Sequence, residues 1–216
     1  PEMMGVALPE GGALGLRDLN ALLDAAEGKD AIVIGPGIAR DEETWSLLGD
    51  FFEELTCPCV VDADALNAIA GHADVLGRAG APLVLTPHPG EMARLIELTT
   101  AELQRNRVAH ARAFVRERHV VLVLKGARTL VARDDGTIFV NPTGNAGMAT
   151  GGSGDVLAGL TGALLAQGLS APDAAIVGAW VHGQAGDLMR EKRGEMGLIA
   201  SDLIDGLSEV WRLWDR

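Results

Sequence analysis

Four short apolar runs do most to fix what this chain can become: Ala31–Ile34, Cys59–Val61, Pro82–Leu85 and Val120–Leu124. Each is apolar throughout rather than alternating, the pattern of a strand buried on both faces of a parallel sheet. Helical spacing fills the intervals. Leu16, Leu19, Leu22, Leu23 and Ala26 recur on one face before the first run, with Gly28 as the stop. Trp45, Leu48, Phe52 and Leu55 follow it, opened by Asp41, Glu42 and Glu43, acids that suit a helix start. A short helix is expected around Leu66–Ala70. A capping-box spacing at Thr99 and Glu102 opens another to about Arg118, its arginines forming a solvated face. Alternating strands and helices predict an α/β fold, a mostly parallel central sheet with helices on both faces. Leu130–Ala132 and Ile138–Val140 flank Asp134-Asp135-Gly136, a hairpin signal that adds an antiparallel margin. With no repeat or linker, residues 1–216 read as one domain; residues 1–15, with Pro9, Gly11 and Gly12, read as loop.

Charge and composition remove several functions. A net charge of −12 argues against nucleic acid and anionic membranes as partners, since both need basic surface. No apolar run approaches the ~18 residues of a membrane span. The only cysteines, Cys57 and Cys59, read as buried free thiols in a reducing cytosol, which makes the expected location cytoplasmic. Two thiols do not complete a structural zinc site, and no metal-ligating set is expected.

The chemistry gathers where the apolar runs end. The first stops at Gly35-Pro36-Gly37. The second runs into Asp62-Ala63-Asp64-Ala65-Leu66-Asn67, where Asp62 or Asp64 is expected to cap the following helix. The third ends at Thr86-Pro87-His88-Pro89-Gly90-Glu91, the prolines stiffening the backbone around the histidine. The fourth leads to Lys125-Gly126-Ala127-Arg128-Thr129. Carboxyl ends of parallel strands share one edge of the sheet, where ligands bind. A glycine-rich stretch, Asn141 to Gln167, joins them. Its Gly151-Gly152-Ser153-Gly154 leads into an apolar helical period headed by Asp155. Glycines admit close backbone approach, and a helix start supplies unpaired N–H donors, so this is an anion cradle with an acid at its rim. Lys125 can reach a phosphate, and Asp155 can act as general base toward a hydroxyl. Gly159 and Gly162 each weaken that helix by ~1 kcal/mol relative to alanine, which predicts close approach of the sheet or a neighbouring helix. A further helix opens at Ser170, Pro172 and Asp173 and is rich in Ala and Gly through Gly186; His182 within it is expected to be a packed core histidine. Leu203, Ile204, Leu207, Val210, Trp211 and Trp214 mark an amphipathic closing helix. A P-loop, a Gly-x-Ser-x-Gly elbow and a Gly-x-Gly-x-x-Gly fingerprint are absent.

Asn141 to Asp155, with Thr86–Glu91, Val61–Asn67, Gly35–Gly37 and Lys125-Gly126, resembles the carbohydrate-kinase-like domain of ADP-dependent NAD(P)H-hydrate dehydratase, over most of the chain and in the family's order. The resemblance implies the ribokinase-like fold and a nicotinamide-nucleotide repair activity. That activity dehydrates the S epimer of hydrated NADH or NADPH at the expense of ADP, with AMP and phosphate as co-products and Mg2+ as companion of the diphosphate. It implies Asp155 as catalytic base. Gly37, Asp64, Asn67, His88 and Asp155 would then serve the hydrated substrate. Lys125, Gly126, Ala127, Arg128, Thr129, Asn145, Gly152 and Gly154 would hold the adenine nucleotide. A homo-oligomer, with a tetramer as one form, is also implied. Ser153 stands where the family commonly has threonine, which keeps the hydroxyl. The family's glycine- and alanine-rich segment before a stretch like Pro1-Glu2 is not among these residues: either a separate N-terminal fragment supplies it as a partner, these residues are a piece of a longer chain, or the nicotinamide pocket is incomplete. Two other functions fit the same residues: a small-molecule kinase acting on a hydroxyethylthiazole-type alcohol, and a catalytically inactive nucleotide-binding sensor.

Overall fold

The computed structural model describes residues 14–38 and 43–214. The expected loop around Pro9 to Gly12 and the helix-opening acids Asp41 and Glu42 lie outside the described residues. The strands are β1 (Ile32–Ile34), β2 (Cys59–Val61), β3 (Leu83–Leu85), β4 (Val121–Leu124), β5 (Leu130–Ala132) and β6 (Ile138–Val140). They form one sheet in chain order, with β1 to β4 parallel and β5 and β6 antiparallel at one margin. The helices are α1 (Leu19–Ala26), α2 (Thr44–Glu54), α3 (Ala63–Ala68), α4 (Pro89–Leu95), α5 (Thr100–Arg105), α6 (Arg107–Arg118), α7 (Ser153–Ala166), α8 (Ala171–Arg193) and α9 (Ala200–Trp214).

Strand periodicity divides the core in two. Cys59, Val61, Leu83, Leu85, Leu122 and Leu124 face one side, where α2 to α6 pack with Phe51, Phe52, Met92 and Phe114. Val60, Val84, Val121 and Val123 face the other, against α7 and α8. Successive side chains of a strand point to opposite faces, so a strand buried on both sides must be apolar at every position. Burying each such side chain is worth roughly 1.5–3 kcal/mol. β2, β3 and β4, buried at every position, match the sequence reading closely for that reason.

The helices depart from it in three places. The expected helix from Thr99 to Arg118 breaks at Asn106, whose backbone leaves the helical region at φ −149°, ψ 48°. The capping box at its start is present: Glu102 N donates to Thr99 Oγ1 at 3.2 Å, and Thr99 N donates to Glu102 Oε2 at 2.8 Å. Its arginines are largely solvent-exposed, as expected, Arg105, Arg112 and Arg116 among them, but several also hold carbonyls. Arg107 donates to the carbonyls of Leu124 and Ala127, Arg112 to Gly136 and Arg116 to Asp135, so they tie the loop after β4 and the hairpin turn to α6. α3 begins earlier than the apolar spacing suggests, and α8 runs to Arg193, where Gly194 at φ 75° ends it. No helix among the described residues is long and apolar enough to cross a membrane.

Candidate active site at the carboxyl edge of the sheet

The parallel strands end side by side, and their loops meet the start of α7. Gly35, after β1, has φ 134°; a methyl there would stand 1.8 Å from the Asp62 carbonyl. Its glycine is required by the protein's own backbone. Gly37, at φ 80°, faces open space instead.

Asp62 occupies the N-cap position of α3 but its carboxylate makes no cap bond, contrary to the expected capping role. The carboxylate is nearly fully buried and accepts from Lys125 Nζ at 2.9 Å through Oδ1. The following residue, Ala63, sits at φ 50°, rare for a residue with a Cβ. Asn67 steadies this turn, donating from Nδ2 to the Ala63 carbonyl at 3.1 Å. Asp64 lies half-buried in the first turn of α3.

His88 is aimed by capping as much as by its prolines. Its Nδ1 accepts from Gly90 N at 2.9 Å and Glu91 N at 3.2 Å, leaving the proton on Nε2. Glu91, also buried, completes the box: its Oε2 accepts from His88 N at 2.7 Å. The same Oε2 lies 3.9 Å from Lys125 Nζ. Lys125 therefore stands between two buried carboxylates, with Asp62 the nearer.

The Lys125–Thr129 loop is braced from both sides. Lys125 N donates to the Pro87 carbonyl at 2.9 Å, Arg128 Nη1 to Pro142 at 2.7 Å and Asn141 N to Thr129 at 2.8 Å. Gly126 at φ 131° and Arg128 at φ 56° make the turn.

The glycine-rich stretch is moored along α8. Asn141 Nδ2 donates to the Ala179 carbonyl and Thr143 Oγ1 to that of Trp180. Asp187 accepts from Gly144 N and from Asn145 Nδ2, each at 2.9 Å, and Asn145 Oδ1 accepts from Gly147 N. A Cβ on Gly183 or Gly186 would stand 2.2 Å from Thr143 Oγ1 or Met148 Sδ, respectively. Asp187 escaped sequence reasoning; the only trace of the mooring was the glycine content of α8, which no neighbouring motif explained.

At φ 86°, Gly152 turns the chain into α7. Gly154 lies in its first turn, and a Cβ there would be 3.2 Å from Lys125 Nζ and 3.8 Å from Asp62 Oδ2. The lysine tip thus lies against the helix start, where backbone N–H groups are unspent. Asp155 follows, exposed at the head of an apolar groove of about 1000 Å³ between α7 and α9. Behind the cradle, His182 is buried on α8 with Nε2 3.5 Å from Ser153 Oγ. Burial pulls its pKa down to about 4, with the nearby Lys125 charge adding to the effect, so it is a neutral packed imidazole at pH 7.

The geometry brings the Lys125 tip to Gly154 at the helix start, with Gly126, Arg128 and Thr129 following Lys125 in the same braced loop. His88 lies at the end of β3, the strand beside Lys125, and Gly37 is at the end of β1. Asp64 and Asn67 are farther along α3, and Asn145 spends its amide on Asp187 and Gly147. A helix start backed by a lysine, on a parallel α/β sheet, is the arrangement expected of a phosphate-binding domain. The family model described as NAD(P)H-hydrate dehydratase, of the carbohydrate-kinase type, matches residues 1–209. The bifunctional NAD(P)H-hydrate repair enzyme Nnr of Moorella thermoacetica is 48% identical over 98% of this chain and 40% of its own length. The ADP-dependent (S)-NAD(P)H-hydrate dehydratase of Neisseria meningitidis serogroup B is 44% identical over 81% of this chain and 60% of that protein. The solved ADP/ATP-dependent NAD(P)H-hydrate dehydratase of Bacillus subtilis, co-crystallised with ATP/Mg2+, superposes with a TM-score of 0.74 and 33% identity over 88% of this chain and 68% of that one. The fold is the ribokinase-like one, and the chain belongs to the NAD(P)H-hydrate dehydratase family. It spans about two fifths of the length of the bifunctional relative.

Proposed function

We propose that this chain dehydrates the S epimer of hydrated NADH and NADPH, consuming ADP and releasing AMP and phosphate. The observation that carries this reading is the start of α7, where Gly154 is backed by Lys125 while the next residue, Asp155, is exposed on the other side. A phosphate held by the N–H groups of that turn and by Lys125 would lie within one residue of the acid.

Hydroxide leaves C6 of the hydrate poorly. Asp155 takes the proton of that hydroxyl as its oxygen attacks the terminal phosphate of ADP; the new P–O bond forms and AMP departs. Lys125 and the helix-start N–H groups stabilise the charge on the transferring group. The ring nitrogen lone pair then expels phosphate from C6, and loss of a proton from C5 restores the dihydropyridine. His88, with Nδ1 occupied by the cap and Nε2 3.4 Å from Glu91 Oε1, offers its exposed ring to the substrate side. Lys125, Gly126, Ala127, Arg128 and Thr129, with Asn145, Gly152 and Gly154, hold the adenine nucleotide; Gly37, Asp64, Asn67 and His88 line the substrate side.

Among the described residues no group of three or more His, Cys, Asp or Glu side chains converges on a metal. Mg2+ carried by the diphosphate ordinarily needs only one or two carboxylates beside phosphate oxygens. Asp62, whose Oδ2 would stand 3.8 Å from a Cβ on Gly154, is the carboxylate at the α7 start that would hold it. When bound, the ion neutralises phosphate charge.

We read residues 1–216 as one carbohydrate-kinase-like domain that works beside a further segment, supplied by a longer polypeptide or a separate fragment. The family's homo-oligomeric habit and a cytoplasmic setting, supported by two free buried cysteines, belong to the same proposal. The test is recovery of reduced-nicotinamide absorbance from hydrated NADH. Recovery with ADP, and its absence without a nucleotide, is expected. A stable phosphorylated alcohol formed from ATP, with no recovery, would overturn the dehydratase in favour of the kinase.

A further inference from the structure

On the substrate side of the edge one cation is held in place but not neutralised. Arg94, exposed on α4, donates from Nε to Asn67 Oδ1 at 2.9 Å. Asn67 is itself fixed to the Ala63 carbonyl at the strained turn after Asp62. Among the described residues, the two terminal nitrogens of Arg94 carry no hydrogen bond or ion pair. A methyl on Gly90 would stand 3.2 Å from His88 Nδ1 and 3.9 Å from Arg94 Nη1, so both side chains border Gly90.

The other described cations of this edge are committed. Lys125 is paired with Asp62, Arg107 is spent on the carbonyls of Leu124 and Ala127, and Arg128 binds the Pro142 carbonyl. All three lie on the β4 side, at the expected nucleotide loop. A chain of net charge −12 repels a polyanionic dinucleotide, so its phosphates need a local donor. A guanidinium oriented through Nε presents its Nη pair as a planar fork, the geometry that matches two phosphate oxygens.

We propose that Arg94, oriented by Asn67, receives a phosphate of the hydrated dinucleotide. This rests on the dehydratase reading. Two phosphates share the required chemistry: the diphosphate bridge common to both substrates, and the 2′-phosphate carried by hydrated NADPH alone. Asn67 is then a positioning residue that reaches substrate only through Arg94.

The experiment measures KM for hydrated NADH, hydrated NADPH and ADP in the native chain, Arg94→Ala and Arg94→Lys, with thermal melts as the fold control. The expected result is a rise of roughly tenfold or more in the KM for substrate, with ADP KM within about twofold of native. A rise for both substrates assigns the diphosphate; a rise for hydrated NADPH alone assigns the 2′-phosphate. Asn67→Ala should raise the same KM less, and add nothing to Arg94→Ala in the double variant. Unchanged substrate KM, or an equal rise in ADP KM, overturns the proposal. Should Arg94→Ala not fold, Arg94→Lys is read the same way, because lysine keeps the charge but loses the fork and the Asn67 bond. Should the native chain show no turnover even with the further segment supplied, the dehydratase reading fails, and fluorescence titration with NADPH and NADH decides the Arg94 contact: weaker binding in the variant sustains it, equal binding sinks it.

Discussion

Gly162 and Gly159 stand one turn apart on α7 and meet opposite surroundings. A Cβ on Gly162 would come 2.5 Å from Val33 Cγ2 on β1, whereas one on Gly159 would meet nothing within 4 Å. The expected close approach therefore explains the first glycine and not the second. The contrast runs the length of the helix. Leu157, Ala158, Thr161, Gly162 and Leu165 are buried against the sheet and α8, while Asp155, Gly159 and Ala163 form an exposed stripe at four-residue spacing. That stripe floors the groove whose other wall is Ile204, Leu207, Trp211 and Trp214. The apolar face of α9 is wider than the contact it makes: Leu203 and Val210 are buried, but Ile204 and Trp214 stay more than half exposed. One helix thus has a closed face, packed on the sheet and α8, and an open face headed by Asp155.

The largest expected stability effect tests the closed face. Lys125→Met leaves the buried Asp62 carboxylate without its cation and should cost about 3 kcal/mol by urea denaturation. Adding Asp62→Asn should recover part of that loss, and failure to recover it would mean the pair is not what secures this face. His182 comes next. Its pKa of about 4 lies below the ordinary 6.5, so the folded state favours the neutral ring. The stability it supports is complete above about pH 6.5 and is lost as pH falls toward about 4, because the unfolded chain then binds the extra proton. Between pH 7 and pH 5 the chain should lose about 2 kcal/mol through this group. His182→Gln should flatten that drop, and an equal drop in the variant would remove His182 from the account. Gly162→Ala should destabilise by about 1–2 kcal/mol, the overpacking against Val33 outweighing the gain in helix propensity. Gly159→Ala, three positions earlier, should be neutral or stabilise by up to about 1 kcal/mol. Equal effects of the two substitutions would erase the distinction between the faces.

The parallel sheet was legible because burial on both sides leaves a strand no freedom to be polar: Val60 and Val84 face one core while Val61 and Leu85 face the other. The turn into α7 was legible because glycines precede Asp155, and Gly152 takes φ 86° there. What stayed hidden depends on pairs far apart in sequence. Lys125 and Asp62 are 63 residues apart, and no local spacing announces that the acid leaves its cap position for the lysine. Arg107, Arg112 and Arg116 carry the spacing of a solvated face, but the break at Asn106 and the neighbouring loops give them carbonyls to bind. Asp187 reads as a surface acid of α8 until the loop it anchors is folded against it.

The division of labour between Gly154 and Asp155 is tested most directly in Asp155→Asn, by measuring ADP affinity calorimetrically and ADP-driven recovery of NADH from its hydrate in the same preparation. The account predicts ADP affinity within about twofold of the native chain and turnover lower by roughly 10²–10⁴-fold, the range for a missing general base. Native turnover in the variant, or a loss of ADP binding that matches the loss of activity, would contradict it.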